Sequence, residues 1–160
     1  MDECTSYNEK DRKRSGEHIL VRLTYIGKTP QDYSAVSLTR DLEHWRKYNQ
    51  ENGITSALAI NETYFIHSIE GARPNINQAI RKVTTEYIRV VPNLVQVEEI
   101  AARKWGHYWL KYLTPSVESE DYTLESFSAG ADFNPYLMKG TQLTSFVSAV
   151  FKDKVALAGR

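Results

Sequence analysis

An α+β fold, one sheet with two helices on a single face, follows from three observations. Strand-like and helix-like apolar patterns alternate between residues 18 and 113 in the order β-α-β-β-α-β, with one further strand. Residues 53–71 (GITSALAINETYFIHSIEG) read as a hairpin at the centre of that order. Each of the two helical patterns carries a single apolar stripe, so both helices must cover the same face.

The elements are justified in turn. Residues 1–17 are polar and charged with no apolar period, and form an N-terminal extension. Residues 18–26 predict the first strand; Val21, Leu23 and Tyr25 share one face, and Arg22, Thr24 and Ile26 the other. Gly27-Lys28-Thr29-Pro30 is expected to end it. Residues 36–49 predict a helix with Ser37 as N-cap, Leu38, Leu42 and Trp45 on one stripe that Asn49 continues, and Gly53 beyond its end. In the hairpin, Ile54, Ala57, Leu58, Ala59 and Ile60 precede the break Asn61-Glu62-Thr63, and residues 64–69 return with one polar ring, His67. Pro74 and Asn75 open a second helix, with Ile76, Ile80, Val83 and Tyr87 on one face. Residues 94–101 and the aromatic run 105–113 predict the last two strands.

That order is the ferredoxin-like split βαβ arrangement, an antiparallel or mixed sheet with a C-terminal helical extension added here. Residues 18–113 form the domain, and 114–160 a loop followed by an amphipathic helix. The loop, 114–135, is rich in Ser, Glu and Asp. In the helix, at about 140–155, Leu143, Phe146, Val147, Val150, Phe151 and Val155 recur at helical spacing. That stripe must be buried on the open face of the sheet or on a partner; Leu143, Phe146, Val147, Val150 and Phe151 are the candidate partner-binding residues. Phe133, Tyr136, Leu137 and Met138 are candidate anchors before it.

Composition narrows the function classes. The chain has 160 residues, 41% apolar and 25% charged, with twenty basic and twenty acidic residues that cancel. A neutral chain gives no electrostatic reason to expect nucleic acid or a membrane surface as partner. The lone Cys4 cannot close an internal disulfide, which fits a reducing compartment, and the N-terminus lacks the apolar run of a signal peptide; a cytoplasmic protein is expected. There is no phosphate-loop motif, no GxGxxG, no HExxH, no CxxC and no GxSxG. The four histidines are scattered without metal-ligand spacing. Glu98-Glu99 read as solvated edge charges, and Arg40, Arg46, Lys47, Arg81 and Lys82 as the wet faces of their helices. No catalytic residue and no metal site is expected.

The motifs carry a resemblance. Leu23-Thr24-Tyr25 closes the first strand, and Asn49 followed by Gly53-Ile54-Thr55 leaves the first helix. Phe65, His67 and Ile69-Glu70-Gly71 lie on the third strand, and Trp105-x-x-Tyr108-x-Leu110 on the fifth. From about Leu20 to Leu113 these spacings resemble, without a gap, the BLUF domain, a flavin-binding blue-light sensor. The resemblance implies a flavin (FAD or FMN) between the two helices, with Tyr25, Asn49, His67, Lys82 and Val83 as cofactor-binding candidates. In photoactive members a first-strand Tyr and a third-strand Gln hydrogen-bond each other and the flavin. Light drives electron and proton transfer from the Tyr, and the Gln amide rearranges.

This chain departs from the family at several of those positions. His67 stands where the switching Gln belongs, and an imidazole cannot turn as an amide does. Tyr48 replaces an Asn or His, and Tyr108 and Leu110 replace a Trp and a Met. Asp41 falls where an aliphatic residue packs on the ring, which would leave a carboxylate poorly solvated. The segment Ile66-His67-Ser68-Ile69-Glu70 also resembles some eukaryotic BLUF-like proteins, including testis-expressed ones associated with sperm and cilia. Two expectations follow. The first is a non-photoactive interaction module without cofactor, bound to other proteins of a larger assembly such as the ciliary axoneme. The second is a FAD-binding photoreceptor with altered photochemistry. Neither is an enzyme.

Overall fold

The computed structural model describes residues 19–113 and 134–158. Its elements run β1 (Leu20–Lys28), α1 (Ala35–Asn52), β2 (Thr55–Ile60), β3 (Tyr64–Ala72), α2 (Arg73–Glu86), β4 (Asn93–Ile100), β5 (Lys111–Leu113), a short 3₁₀ turn (Pro135–Leu137) and α3 (Gly140–Ala158). The sheet order is β4-β1-β3-β2-β5. All neighbours are antiparallel except β2 and β5, which run parallel. This is the ferredoxin-like arrangement, with β5 added at one edge. The extension 1–17 and most of the loop 114–135, including Phe133, lie outside the described residues.

Local chemistry explains the boundaries. Helix α1 begins earlier than the sequence suggests, because Ser34 rather than Ser37 is its N-cap: the Ser34 hydroxyl accepts the Ser37 N–H at 3.1 Å. It ends at Gly53, whose φ of 65° is a left-handed conformation that glycine takes without strain. Strand β1 continues through Gly27 and Lys28, which face Phe65 and Tyr64 on β3. A Cβ at Gly27 would meet the Phe65 ring at 2.4 Å, so the glycine extends the strand by making room for the ring.

The fifth strand is much shorter than the aromatic run 105–113. Lys104 and Trp105 give their backbone N–H groups to the Glu70 carboxylate, and Tyr108 N–H bonds back to Trp105 O in a tight turn. Only Lys111–Leu113 is left to pair with β2. A buried carboxylate thus claims the backbone donors that a ladder would need.

The sheet has two covered faces. On one, Val21, Leu23, Leu58 and Ile69 pack with Leu42 of α1 and Ile76, Ala79 and Val83 of α2. On the other, Ile26, Ala57, Ala59, Ile66 and Trp105 pack with Leu143, Phe146, Val147 and Phe151 of α3. This settles where the α3 stripe goes. Leu143, Phe146 and Phe151 are fully buried within the chain and Val147 nearly so. They are core residues and do not present a partner-binding surface; the side chain of Val150 lies outside the described residues. Among the anchors before α3, Met138 packs on this second cluster and Tyr136 tilts against Tyr64, but Leu137 is exposed.

Glu70 organises the α3 face. It is fully buried, and besides the two backbone donors it takes the Arg22 guanidinium at 3.1 Å. Arg22 also reaches Glu98 at 2.7 Å, so Glu98 is the outer end of a buried ion chain and not only a solvated edge charge. Ser68 accepts Trp105 Nε1–H at 3.0 Å and Thr24 Oγ1 at 3.2 Å. Most polar groups of this face are paired, as burial requires, although Arg22 Nε is buried without a hydrogen-bond partner among the described residues.

Candidate functional site

Strand register brings two polar side chains together under the helices. Tyr25 on β1 lies directly opposite His67 on β3, and period two points both toward α1 and α2. Tyr25 Oη and His67 Nδ1 are 2.7 Å apart, and both residues are buried. Phe65 meets the Tyr25 ring edge-on, with centroids 5.7 Å apart. The second ring nitrogen, His67 Nε2, is buried and has no hydrogen-bond partner among the described residues.

That pair sits at the floor of a cleft. Its volume is about 280 Å³, and its walls come from α1 (Leu38, Asp41, Leu42, Trp45), the end of α2 (Val83, Glu86) and the segment that follows. Trp45 and Tyr87 stack across it, centroids 5.6 Å apart at 30°. The size is near the lower end of ligand pockets, about 300–1,000 Å³, and such sites have the same mix of apolar walls and a few polar groups.

Burial sets the protonation states. Desolvation lowers the His67 pKa to about 3, so the ring is neutral at physiological pH. Desolvation, and then the neighbouring Tyr87, hold the Tyr25 phenol above its usual range. Tyr33 is also raised, first by burial and then by its hydrogen bond to the Asp41 carboxylate. Tyr87 is pushed up to about 12 by burial, with the charges of Asp41 and Glu86 adding to it.

Of the five candidate cofactor residues, the fold gathers three. Tyr25, His67 and Val83 line the cleft. Asn49 does not: its amide donates to Trp109 O at 2.7 Å and to Ser56 Oγ at 3.1 Å, tying α1 to β2 and the segment before β5. Lys82 does not either; its ammonium pairs with Glu86 at 2.7 Å and lies 4.8 Å over the Tyr48 ring. Asp41 does face the cleft, as the family alignment implies. Sequence reasoning missed Tyr33, Phe65, Trp45 and Tyr87. Trp45 and Tyr87 belong to the apolar stripes that mark core, and only their spacing toward Asp41 and Val83 would have placed them in a wall.

A flavin ring is the group that the fold family implies, and the residues fit one. The cleft has aliphatic and aromatic walls, Leu38, Leu42, Val83, Trp45 and Tyr87 among them, of the kind that pack on a planar ring. An orphaned, buried ring nitrogen waits at its floor. Tyr25, Phe65, His67, Trp45 and Val83 would hold the ring. Asp41, Glu86 and Arg89 are the charged residues among the walls, and the Tyr33 hydroxyl donates to the Asp41 carboxylate. Among the described residues no group of three or more His, Cys, Asp or Glu could hold a metal ion, and no helix is long and apolar enough to cross a membrane.

Comparison with known proteins agrees with this architecture. Among solved structures, BlsA in its photo-activated state superimposes with a TM-score of 0.71 at 20% identity, over 82% of this chain and 94% of that one. The dark-state structure of the BLUF protein BlrB gives 0.70 at 19% identity, over 85% and 97%. Klebsiella pneumoniae BlrP1 with FMN and cyclic diGMP gives 0.61 at 20% identity, over 81% of this chain but 34% of that longer one. No curated protein sequence matches. The family model described as "sensors of blue-light using FAD" matches residues 20–111, and on that match, over more than half its length, the chain belongs to the BLUF family.

Proposed function

We propose that this chain is a flavin-binding blue-light sensor domain in which a Tyr25–His67 pair takes the place of the family's Tyr–Gln pair. One observation carries the reading: His67 Nε2 is buried without a partner among the described residues, at the floor of a cleft with aliphatic and aromatic walls. An unmet buried polar group costs about 1–3 kcal/mol, and a ligand that pairs it recovers that cost. The family match and the likeness to light-sensing structures support the same reading.

A bound flavin supplies absorption of blue light and an acceptor for an electron and a proton. The chain's own residues do the rest. Phe65, Trp45 and Val83 enclose the ring and exclude water. Tyr25 is the phenol donor, and its raised pKa keeps it protonated at rest. His67 holds the phenol's hydrogen bond on one nitrogen and faces the cleft with the other. The output is a change in hydrogen bonding at β3 rather than catalysis. It would pass to a partner protein, as the domain-linked neighbours, including a bacterial light-regulated adenylyl cyclase, suggest.

The test is spectroscopic. The purified chain should be yellow or bind added FMN or FAD, and blue light should change its absorption. Replacing His67 by Gln should bring the light response to the red shift typical of an amide switch. A chain that stays colourless and binds neither flavin overturns the proposal.

A second reading keeps the domain as a non-photoactive interaction module of a larger assembly, a ciliary one included. The edge strand β4 favours it. Leu94 and Val97 there are each 58% exposed, on a strand whose outer edge pairs with no other strand among those described. Such an edge accepts an extended segment of a partner protein by strand addition. Under this reading Leu94→Lys abolishes partner capture while flavin is absent from every preparation.

A further inference from the structure

The hydrogens of the Tyr25–His67 pair have two possible arrangements, and they are not equivalent. In one, the Tyr25 hydroxyl donates to Nδ1 and the ring hydrogen is on Nε2, facing the cleft. In the other, Nδ1–H donates to the phenol oxygen, and both the phenol hydrogen and the Nε2 lone pair are left without partners. The only hydrogen bond of the Tyr25 hydroxyl among the described residues is the one to His67. Nothing else there is placed to take a stranded phenol hydrogen. The first arrangement joins the stronger donor, a phenol, to the stronger acceptor, an imidazole nitrogen. The second joins the weaker partners and strands the stronger ones in a buried place, where unmet groups carry their full desolvation cost.

We infer that Tyr25 fixes His67 in the Nε2–H form, and that the occupant of the cleft must therefore present a hydrogen-bond acceptor to that N–H. The inference deepens the flavin reading and rests on it only for the identity of the acceptor. Tyr25 is thus a positioning residue, because its hydroxyl selects the tautomer.

Nitrogen NMR of the full chain labelled with ¹⁵N-histidine, without added ligand, reads the tautomer directly. The expected result is a neutral His67 with hydrogen on Nε2, and a mixture of both forms in Tyr25→Phe. Hydrogen on Nδ1 in the native chain overturns the inference. FMN titration followed by Trp45 quenching tests the donor. His67→Leu should bind FMN about five- to tenfold more weakly, the loss of one hydrogen bond, and His67→Gln should restore part of the loss. Undiminished FMN affinity in His67→Leu overturns the donor role. If FMN binds no variant, the flavin reading fails, while the NMR result still decides the tautomer and with it the inference.

Discussion

The two faces of the sheet are built to different standards. The α3 face is filled by Phe146, Phe151, Leu143 and Trp105, and its buried carboxylate, Glu70, takes two backbone donors and an arginine. The face under α1 and α2 keeps a cleft of about 280 Å³ and leaves a buried imidazole nitrogen unpaired. The same strands supply both faces through alternate residues, so the difference cannot lie in the backbone. It lies in which side chains the helices bring. Arg22 Nε on the α3 face is also buried without a partner among the described residues, so the difference is the cleft: a filled face holds the sheet together, and one with a cleft is where a ligand can add something.

The largest effects should come from the complete face. Phe146 is fully buried between α3 and the sheet, and Phe146→Ala should cost about 3–5 kcal/mol, read as a lower urea midpoint with unchanged slope. A loss below about 1 kcal/mol would mean that α3 does not dock on the sheet in solution. Glu70→Ala should cost a similar amount, about 3–5 kcal/mol, because it leaves Arg22 with only its outer partner Glu98 and frees the N–H groups of Lys104 and Trp105. If Glu70→Ala destabilises the chain no more than a surface substitution, the two faces are not as unequal as their contacts indicate.

These residues also mark what the sequence made legible. The β-α-β-β-α-β order came from apolar periods that are local, and the family resemblance, not the period, set Tyr25 against His67. The destination of α3 was not legible, since an amphipathic stripe says that a helix must be buried and not where. The short β5 was hidden because an aromatic run looks like a strand until a distant carboxylate claims its N–H groups. The Asn49 contacts were hidden for the same reason: the resemblance puts Asn49 at the flavin, while in the fold its amide donates to Trp109 O, sixty residues away in sequence. Side-chain partners so distant in sequence leave no local pattern.

On the cleft face the expected effect depends on pH. His67 has a folded pKa of about 3, below the 6.5 of an unperturbed histidine. The unfolded chain therefore binds more protons between these values. The contribution is fully present above about pH 6.5 and is lost as pH falls toward 3, by at most about 1.4 kcal/mol per pH unit. His67→Gln should remove that slope in acid unfolding curves. An identical slope in the variant would mean that His67 is reached by water and is not the desolvated floor of the cleft.

The smallest expected change is the one that separates the faces most sharply. Replacing one member of the Tyr25–His67 pair leaves the other unpaired, but Tyr25→Phe with His67→Leu removes both polar groups and the orphaned nitrogen together. Replacing both partners of a buried hydrogen bond by apolar groups of similar shape is near neutral or stabilising. The double variant should accordingly unfold within about 1 kcal/mol of the native chain, or above it, while its affinity for FMN falls. The equivalent treatment of the other face, stripping Arg22 and Glu70 together, also frees the backbone N–H groups of Lys104 and Trp105, which no substitution can make apolar. That pair belongs to the architecture and should not be removable without loss of stability. A polar pair that the fold can lose without cost, buried where water cannot serve it, is retained for something other than the fold. A double variant that unfolds several kcal/mol early would place Tyr25 and His67 among the structural groups and take that argument away.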